Sequence, residues 1–171
     1  MSANGIIGPY FVENANGDNI TVNSQVYRVQ IIDRFVADLH TFCELKGLNF
    51  DDQIFQQDGA TCHTGKGNLE YLQEHFHGRL ISRFAYHTYP PRSPDLTPCD
   101  AFLWGFMKEN CFRDPVPASI DELKSNVERV VDSISDESLV FMIDNIQQRM
   151  EICLEKGGEH MEHVILRKLG R

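Results

Sequence analysis

Four prolines within nine residues constrain the fold of this chain more than any other feature. They are Pro90, Pro91, Pro94 and Pro98. Each proline fixes its own φ, lacks a backbone N–H donor and disfavours the α region in the residue before it. Because neither a helix nor an interior strand can run through such a passage, we expect it to be extended and rigid.

The residues before the prolines alternate between strand and helix patterns. Gln53–Gln57 and Arg79–Phe84 are short apolar runs typical of strands, and the turn dipeptide Asp58-Gly59 ends the first. Apolar residues recur every three or four positions from about Ser24 to Gly47 and from about Gly67 to Phe76. That spacing predicts two helices, each with one apolar face.

The N-terminal residues predict a β-hairpin. Ile6–Val12 is rich in β-branched and aromatic residues, and Ile20–Val22 can pair with it across the turn Asn14–Asp18. A sheet built from so few strands leaves Ile6–Val12 as an open aromatic edge. We therefore expect that edge to favour aggregation.

The residues after the prolines carry helical patterns only. Thr97 and Pro98 suit the N-cap and first positions of a helix to about Phe112, and Ser119 opens a capping box before the next helix. Ser135 caps a last long helix, which Gly157 can end. The order of elements predicts an α/β fold in which helices flank a small sheet.

Two aspartates stand where a metal site would need them. Asp58 follows a strand, and Asp100 falls in the first turn of a helix after 41 intervening residues. Carboxylate oxygens on rigid elements are the ligands that Mg²⁺ prefers. Each acid also has an ordinary role, Asp58 in a turn and Asp100 as the N3 acid of a capping box. We assign Asp95 only an Asx-turn.

The two aspartate motifs together resemble those of mariner-type transposases, which carry three catalytic acids on a ribonuclease H-like fold. Phe55–His63 is similar to the strand and loop that carry the family's second acid. Ser93–Asp100 is similar to the signature segment whose last residue is the family's third acid. Ile6–Val12 is similar to the third strand of that core. The resemblance covers most of the chain.

The resemblance implies cut-and-paste DNA transposition by two Mg²⁺ (or Mn²⁺) ions held between carboxylates. Asp58 and Asp100 would be catalytic residues and metal ligands, whereas His63 would orient its loop. DNA at the transposon ends would be the partner, a homodimer is one assembly that the resemblance allows, and the nucleus would be the location. No membrane is implied.

The family's first acid and DNA-reading domains lie upstream of the segment matched by Ile6–Val12. We therefore expect an N-terminally truncated member: a partial ribonuclease H-like core with a mixed sheet over 1–113, lacking its first strands, and a C-terminal helical extension over 114–171. Asp18, Asp33 and Asp38 fall in a turn and a helix and are poor substitutes for the missing acid. We expect little or no strand cleavage from this chain alone.

Composition sets limits on these expectations. The chain carries a formal charge of −9, which opposes long-range attraction to nucleic acid, although residues 56–113 contain as many basic as acidic side chains. Five cysteines without a CxxC pair favour a reducing, intracellular compartment over a disulfide framework or a zinc site. Histidines lack any complete metal-ligand spacing.

Three other interpretations stay open at this point. The chain can be a non-catalytic interaction module that uses its long C-terminal helices, or a decayed transposon relic. The fragment can also fail to fold stably because its sheet is thin.

Overall fold

The computed structural model describes residues 1–113 and 115–158. The chain forms two compact units: one comprises Ile7–Arg92, and the other comprises Met1–Ile6 with Ser93–Arg171. The predicted site residues are divided between them, with Asp58 in the first unit and Asp100 in the second.

The unit Ile7–Arg92 begins its regular structure with one long helical stretch. It consists of α1 (Ser24–Val26), a π-helical segment (Tyr27–Ile32) and α2 (Asp33–Lys46). The Asn23 side chain accepts a hydrogen bond from the Val26 N–H at 2.9 Å and so caps the start. Gly47 ends it in the left-handed conformation (φ 65°). The predicted helix is confirmed, but its π-helical part was not foreseen.

A small parallel sheet follows. Its strands are β1 (Phe55–Gln56), β2 (Leu80–Ser82) and β3 (His87–Thr88), in the order β1-β2-β3. Helix α3 (Lys66–His75) connects β1 to β2, which is the usual way to join neighbouring parallel strands. Both predicted central strands are present in shortened form, whereas β3 was missed.

Apolar residues from the long helical stretch, from α3 and the residue after it, and from the strands form one core in this unit. Its fully buried members include Ile32, Leu72 and Phe76, and the Phe55 ring lies 5.3 Å from the Phe76 ring. Burying side chains of this size stabilises a fold by about 1.5–3 kcal/mol each. This packing of helices on strands fixes the position of β1 and of the loop that follows it.

The strand predicted at Ile6–Val12 is wrong, because the structure has no regular strand over these residues. The arms of the expected hairpin meet instead through an isolated antiparallel bridge, Glu13 to Asn19, and through backbone bonds from the Ile20 N–H to the Val12 carbonyl at 3.3 Å and from the Asn14 N–H to the Asp18 carbonyl at 2.9 Å. Pro9 follows a cis peptide bond and supplies no donor. The Tyr10 hydroxyl instead donates to Asp38 of α2 at 2.6 Å, so this segment does not form the expected open sheet edge.

The other unit is helical. It contains a 3₁₀ turn (Pro94–Leu96), a π-helical segment (Cys99–Leu103) that continues into α4 (Trp104–Cys111), then α5 (Ile120–Asp132) and α6 (Asp136–Glu155). Helix α4 packs on α5, and α6 contacts the 3₁₀ turn.

The predicted caps of the last two helices are confirmed. Ser119 and Ser135 accept hydrogen bonds from the N–H groups of Glu122 and Ser138 at 3.1 and 3.2 Å.

The chain is therefore a mixed α/β protein in which helices accompany a small sheet. Within the described ranges the sheet is wholly parallel, so the expected mixed strand directions are not found there. The chain passes between the two units at 6/7 and at 92/93, whereas the resemblance placed a boundary at 113/114. That boundary between core and extension stays a prediction.

Candidate catalytic site

Asp58 lies at the carboxyl end of the parallel sheet, two residues beyond β1. The Gln57 N–H donates to the Ile81 carbonyl at 3.0 Å, so the pairing of β1 with β2 extends to the residue before the aspartate. Ligands of parallel α/β sheets bind at this edge. The Asp58 side chain is 43% exposed and can reach solvent from a fixed backbone.

One oxygen of Asp58 is occupied by its own loop. Oδ1 accepts a hydrogen bond from the Ala60 N–H at 3.0 Å and lies 2.6 Å from His63 Nδ1. The first contact is the Asx-turn expected for an Asp-Gly corner. Since both contacts converge on Oδ1, within the described residues Oδ2 is the oxygen left to meet a cation or a solvent molecule.

The loop after Asp58 is held by several hydrogen bonds. The Ala60 carbonyl accepts from the N–H groups of His63 and Thr64 at 3.0 and 3.1 Å. The buried Asn68 amide of α3 donates to the Cys62 carbonyl at 2.8 Å and to the Ser24 carbonyl at 2.9 Å. The loop therefore joins the start of the long helical stretch to α3, and the orienting role expected of His63 fits this arrangement.

A buried polar network fixes the strand end beneath Asp58. The Tyr27 hydroxyl donates to Gln57 Oε1 at 2.9 Å, and Gln57 Nε2 donates to the His63 carbonyl and to Ser82 Oγ, each at 3.1 Å. Gln57 is 6% exposed and Ser82 is fully buried. The network thus connects the π-helical segment, the Asp58 loop and β2.

The same network places an aromatic hydroxyl close to the aspartate. Burial raises the pKa of Tyr27 well above its ordinary range, and its electrostatic interactions with the neighbouring Cys62 and Asp58 raise it further. The Tyr27 ring lies 4.4 Å from the His63 ring. Tyr27 therefore stays protonated at neutral pH and acts as a hydrogen-bond donor.

Asp100 occupies the predicted place in the chain but a less regular backbone. It is exposed and lies within the π-helical segment Cys99–Leu103, whose first turn is marked by a 2.9 Å bond from the Ala101 N–H to the Thr97 carbonyl. Segments of π-helix are rare and are found often at functional sites. The periodicity of the sequence could not predict it.

The predicted ligands are of the chemical type that Mg²⁺ prefers, but there are too few of them. Asp58 and Asp100 both offer carboxylate oxygens, which suit this ion. However, residues 1–113 and 115–158 contain no group of three His, Cys, Asp or Glu side chains placed to hold a metal ion. The two acids belong to different units, and their convergence stays a prediction.

Sequence reasoning missed several residues around Asp58. Gln57, Ser82 and Tyr27 form the buried network, and Phe84 and Tyr86 are exposed rings in the turn after β2. The local signal for the first group was a polar residue inside an apolar strand. In the second group, Phe84 was the last residue of the predicted strand Arg79–Phe84, and Tyr86 lay in the aromatic sequence between that strand and the prolines.

A separate cleft in the helical unit has a volume of about 810 Å³. It is lined by residues around Asn110, Arg113, Asp121 and Arg129, and neither Asp58 nor Asp100 contributes to it. Its mixed charge favours no particular ligand.

Comparison with known proteins adds no family assignment, since no family model and no curated protein matches the chain. In the described part of the chain, no helix is both long and apolar enough to cross a membrane.

Proposed function

We propose that this chain carries the second and third acids of a mariner-type transposase catalytic domain with a ribonuclease H-like fold. In this proposal Asp58 and Asp100 bind Mg²⁺ or Mn²⁺, DNA at transposon ends is the substrate, and the nucleus is the location. The observation that carries the proposal is Asp58 at the carboxyl end of β1, with Oδ1 held by its loop. Such an anchored carboxylate can present its second oxygen to a hard cation at little entropic cost.

Two further features support this assignment. Helix α3 links β1 to a parallel neighbour, so Asp58 follows the carboxyl end of a strand in a parallel α/β unit, where such sheets bind their ligands. Asp100 stands at the start of a helical segment directly after the rigid proline passage. In the intact family that the chain resembles, a metal pair would activate a water or a 3′-hydroxyl and stabilise the departing oxygen.

The described residues supply too few acids for a metal pair. Two carboxylates can bind one ion loosely, but Mg²⁺ demands near-octahedral oxygen geometry and gives up its water reluctantly. We therefore expect this chain, without a further carboxylate, to bind a divalent ion weakly and to leave DNA uncut.

The test is Mn²⁺ titration of ¹⁵N-labelled protein by NMR. Paramagnetic broadening is expected around Asp58 and Asp100 together, and Asp58→Asn or Asp100→Asn should weaken it at both places. Asp132→Asn removes an exposed acid of α5 and is the matched control. It should leave the broadening around Asp58 and around Asp100 unchanged. Broadening at only one acid, or equal broadening in all variants, would refute the shared site.

DNA cleavage provides the second test. The purified chain should not nick supercoiled DNA in Mg²⁺ or Mn²⁺. Metal-dependent nicking that Asp58→Ala abolishes would show that the expectation of inactivity is wrong while supporting the site itself.

A non-catalytic interaction module is the second candidate, and exposed apolar residues on α6 favour it. Val140 and Leu154 are 46% and 82% exposed and lie on the same side of α6, about four turns apart. Sedimentation equilibrium tests this role for self-association. A dimer that Leu154→Glu dissociates, with no Mn²⁺ binding at the acids, would favour the module over the enzyme.

A further inference from the structure

The turn after β2 (Arg83–Tyr86) combines exposed aromatic rings with one arginine and contains no aspartate or glutamate, although the whole chain has a charge of −9. Phe84 is 61% exposed and Tyr86 is 91% exposed. These two exposed rings stand within three residues of each other, and burying aromatic rings of this size against a partner contributes strongly to binding.

The backbone holds these rings in place. Only four residues, Arg83–Tyr86, link the parallel strands β2 and β3, which forces them into a compact turn. The N–H of buried Ala85 donates to the Ser82 carbonyl at 3.1 Å, and the Thr88 hydroxyl donates to the Ala85 carbonyl at 3.2 Å. The anchored alanine separates Phe84 from Tyr86, so both rings are presented from a rigid frame.

Arg83 completes this surface and places it beside the Asp58 loop. Its guanidinium carbon lies 5.0 Å from the centre of the Phe84 ring. Its Cδ lies 3.0 Å from the position that a Cβ on Gly59 would take, so the arginine stem crosses the backbone next to Asp58. A guanidinium beside an exposed ring matches a nucleic-acid strand, with phosphate at the cation and a base on the ring.

We propose that Arg83, Phe84 and Tyr86 form a binding surface for single-stranded nucleic acid at the carboxyl end of the sheet. Rings can stack only on bases whose faces are free, so an unpaired strand is the occupant and a closed duplex is not. The surface requires neither metal nor carboxylate. Its failure and the failure of the proposed metal site can therefore be observed separately.

The experiment measures binding of a fluorescein-labelled oligothymidylate of roughly 16 nucleotides by fluorescence anisotropy, in low salt with EDTA. The single strand should bind more tightly than a duplex of the same length. Phe84→Ala and Tyr86→Ala should each weaken binding roughly five-fold or more, which is the lower end of the cost of losing one stacked base.

Matched variants separate stacking from other effects. Phe141→Ala removes a phenylalanine that is 64% exposed on α6 and should leave affinity unchanged. Phe84→Leu keeps apolar bulk without a ring and should weaken binding as much as Phe84→Ala does. Phe84→Trp keeps an aromatic ring and should bind the oligothymidylate about as tightly as the unmodified protein. Arg83→Gln keeps the stem over Gly59 and should reduce the salt dependence of binding by about 0.7 in log–log slope.

Several outcomes would overturn the proposal. The first is the absence of binding, and the second is equal affinity for duplex and single strand. The third is that Arg83→Gln lowers the affinity while Phe84→Ala and Tyr86→Ala leave it unchanged. The last result would identify a phosphate contact without base stacking. Unchanged far-UV circular dichroism of each variant establishes that folding is intact.

Discussion

Replacing Gln57 by leucine tests whether the buried network beneath Asp58 stabilises the fold. The substitution keeps side-chain size but removes three hydrogen bonds, one from the Tyr27 hydroxyl, one to Ser82 Oγ and one to the His63 carbonyl. Tyr27 is 7% exposed and Ser82 is fully buried, so water cannot readily replace the lost partner. Each buried polar group left unsatisfied costs about 1–3 kcal/mol.

In the leucine variant the Tyr27 and Ser82 hydroxyls both lose this partner, and side-chain reorientation can compensate only part of the cost. The free energy of unfolding should therefore fall by about 2–4 kcal/mol. That is a large share of the roughly 5–15 kcal/mol that stabilises a typical domain. Gln73→Leu is the matched control, because Gln73 is exposed on α3. It should change stability by no more than about 0.5 kcal/mol.

Urea denaturation followed by far-UV circular dichroism measures both variants. The single tryptophan, Trp104, lies in the helical unit, so its fluorescence shows whether that unit unfolds in the same transition. Tyr27→Phe supplies the double-mutant cycle, with an expected coupling to Gln57→Leu of about 1 kcal/mol. If Gln57→Leu lowers the free energy of unfolding no more than Gln73→Leu does, the buried network does not stabilise the fold and the reasoning is wrong.

Three further predictions concern the packing around two glycines and the ionisation of Tyr27. A Cβ on Gly65 would lie 2.0 Å from Ser24 Oγ, so Gly65→Ala should destabilise by more than about 1 kcal/mol and Ser24→Ala should recover part of the loss. By contrast, Gly67→Ala in α3 meets nothing within 4 Å and should raise stability by up to about 1 kcal/mol in thermal or urea melts. Because the pKa of Tyr27 is raised in the folded state, its protonated form contributes fully below the ordinary tyrosine pKa of about 10 and that contribution is lost as pH rises above it. Stability should therefore fall in alkali, and Tyr27→Phe should lessen the fall; equal alkaline slopes in both proteins would contradict this.

Local sequence was sufficient where one turn of chain determines the structure. The helix caps at Asn23, Ser119 and Ser135 and the left-handed stop at Gly47 were all predictable, because each depends on residues within a single turn. The turn at Asp58-Gly59 belongs to the same class. Its resemblance to a transposase motif is likewise a property of the sequence.

Strands depended on partners that the sequence does not specify. Ile6–Val12 has strand composition but contains Pro9, and it lies against α2 through Tyr10 instead of joining the sheet. His87–Thr88 has only two residues and becomes a strand because β2 lies alongside it. Such pairing is decided by tertiary contacts and not by local preference.

The sequence by itself determined where the helices begin and end, and it determined that Asp58 follows a strand. Only the tertiary structure decided that the polar Gln57 is buried among Tyr27 and Ser82 and that Phe84 is exposed. The reason is that burial depends on which distant surfaces meet. Side-chain polarity alone predicts the opposite placement for both residues.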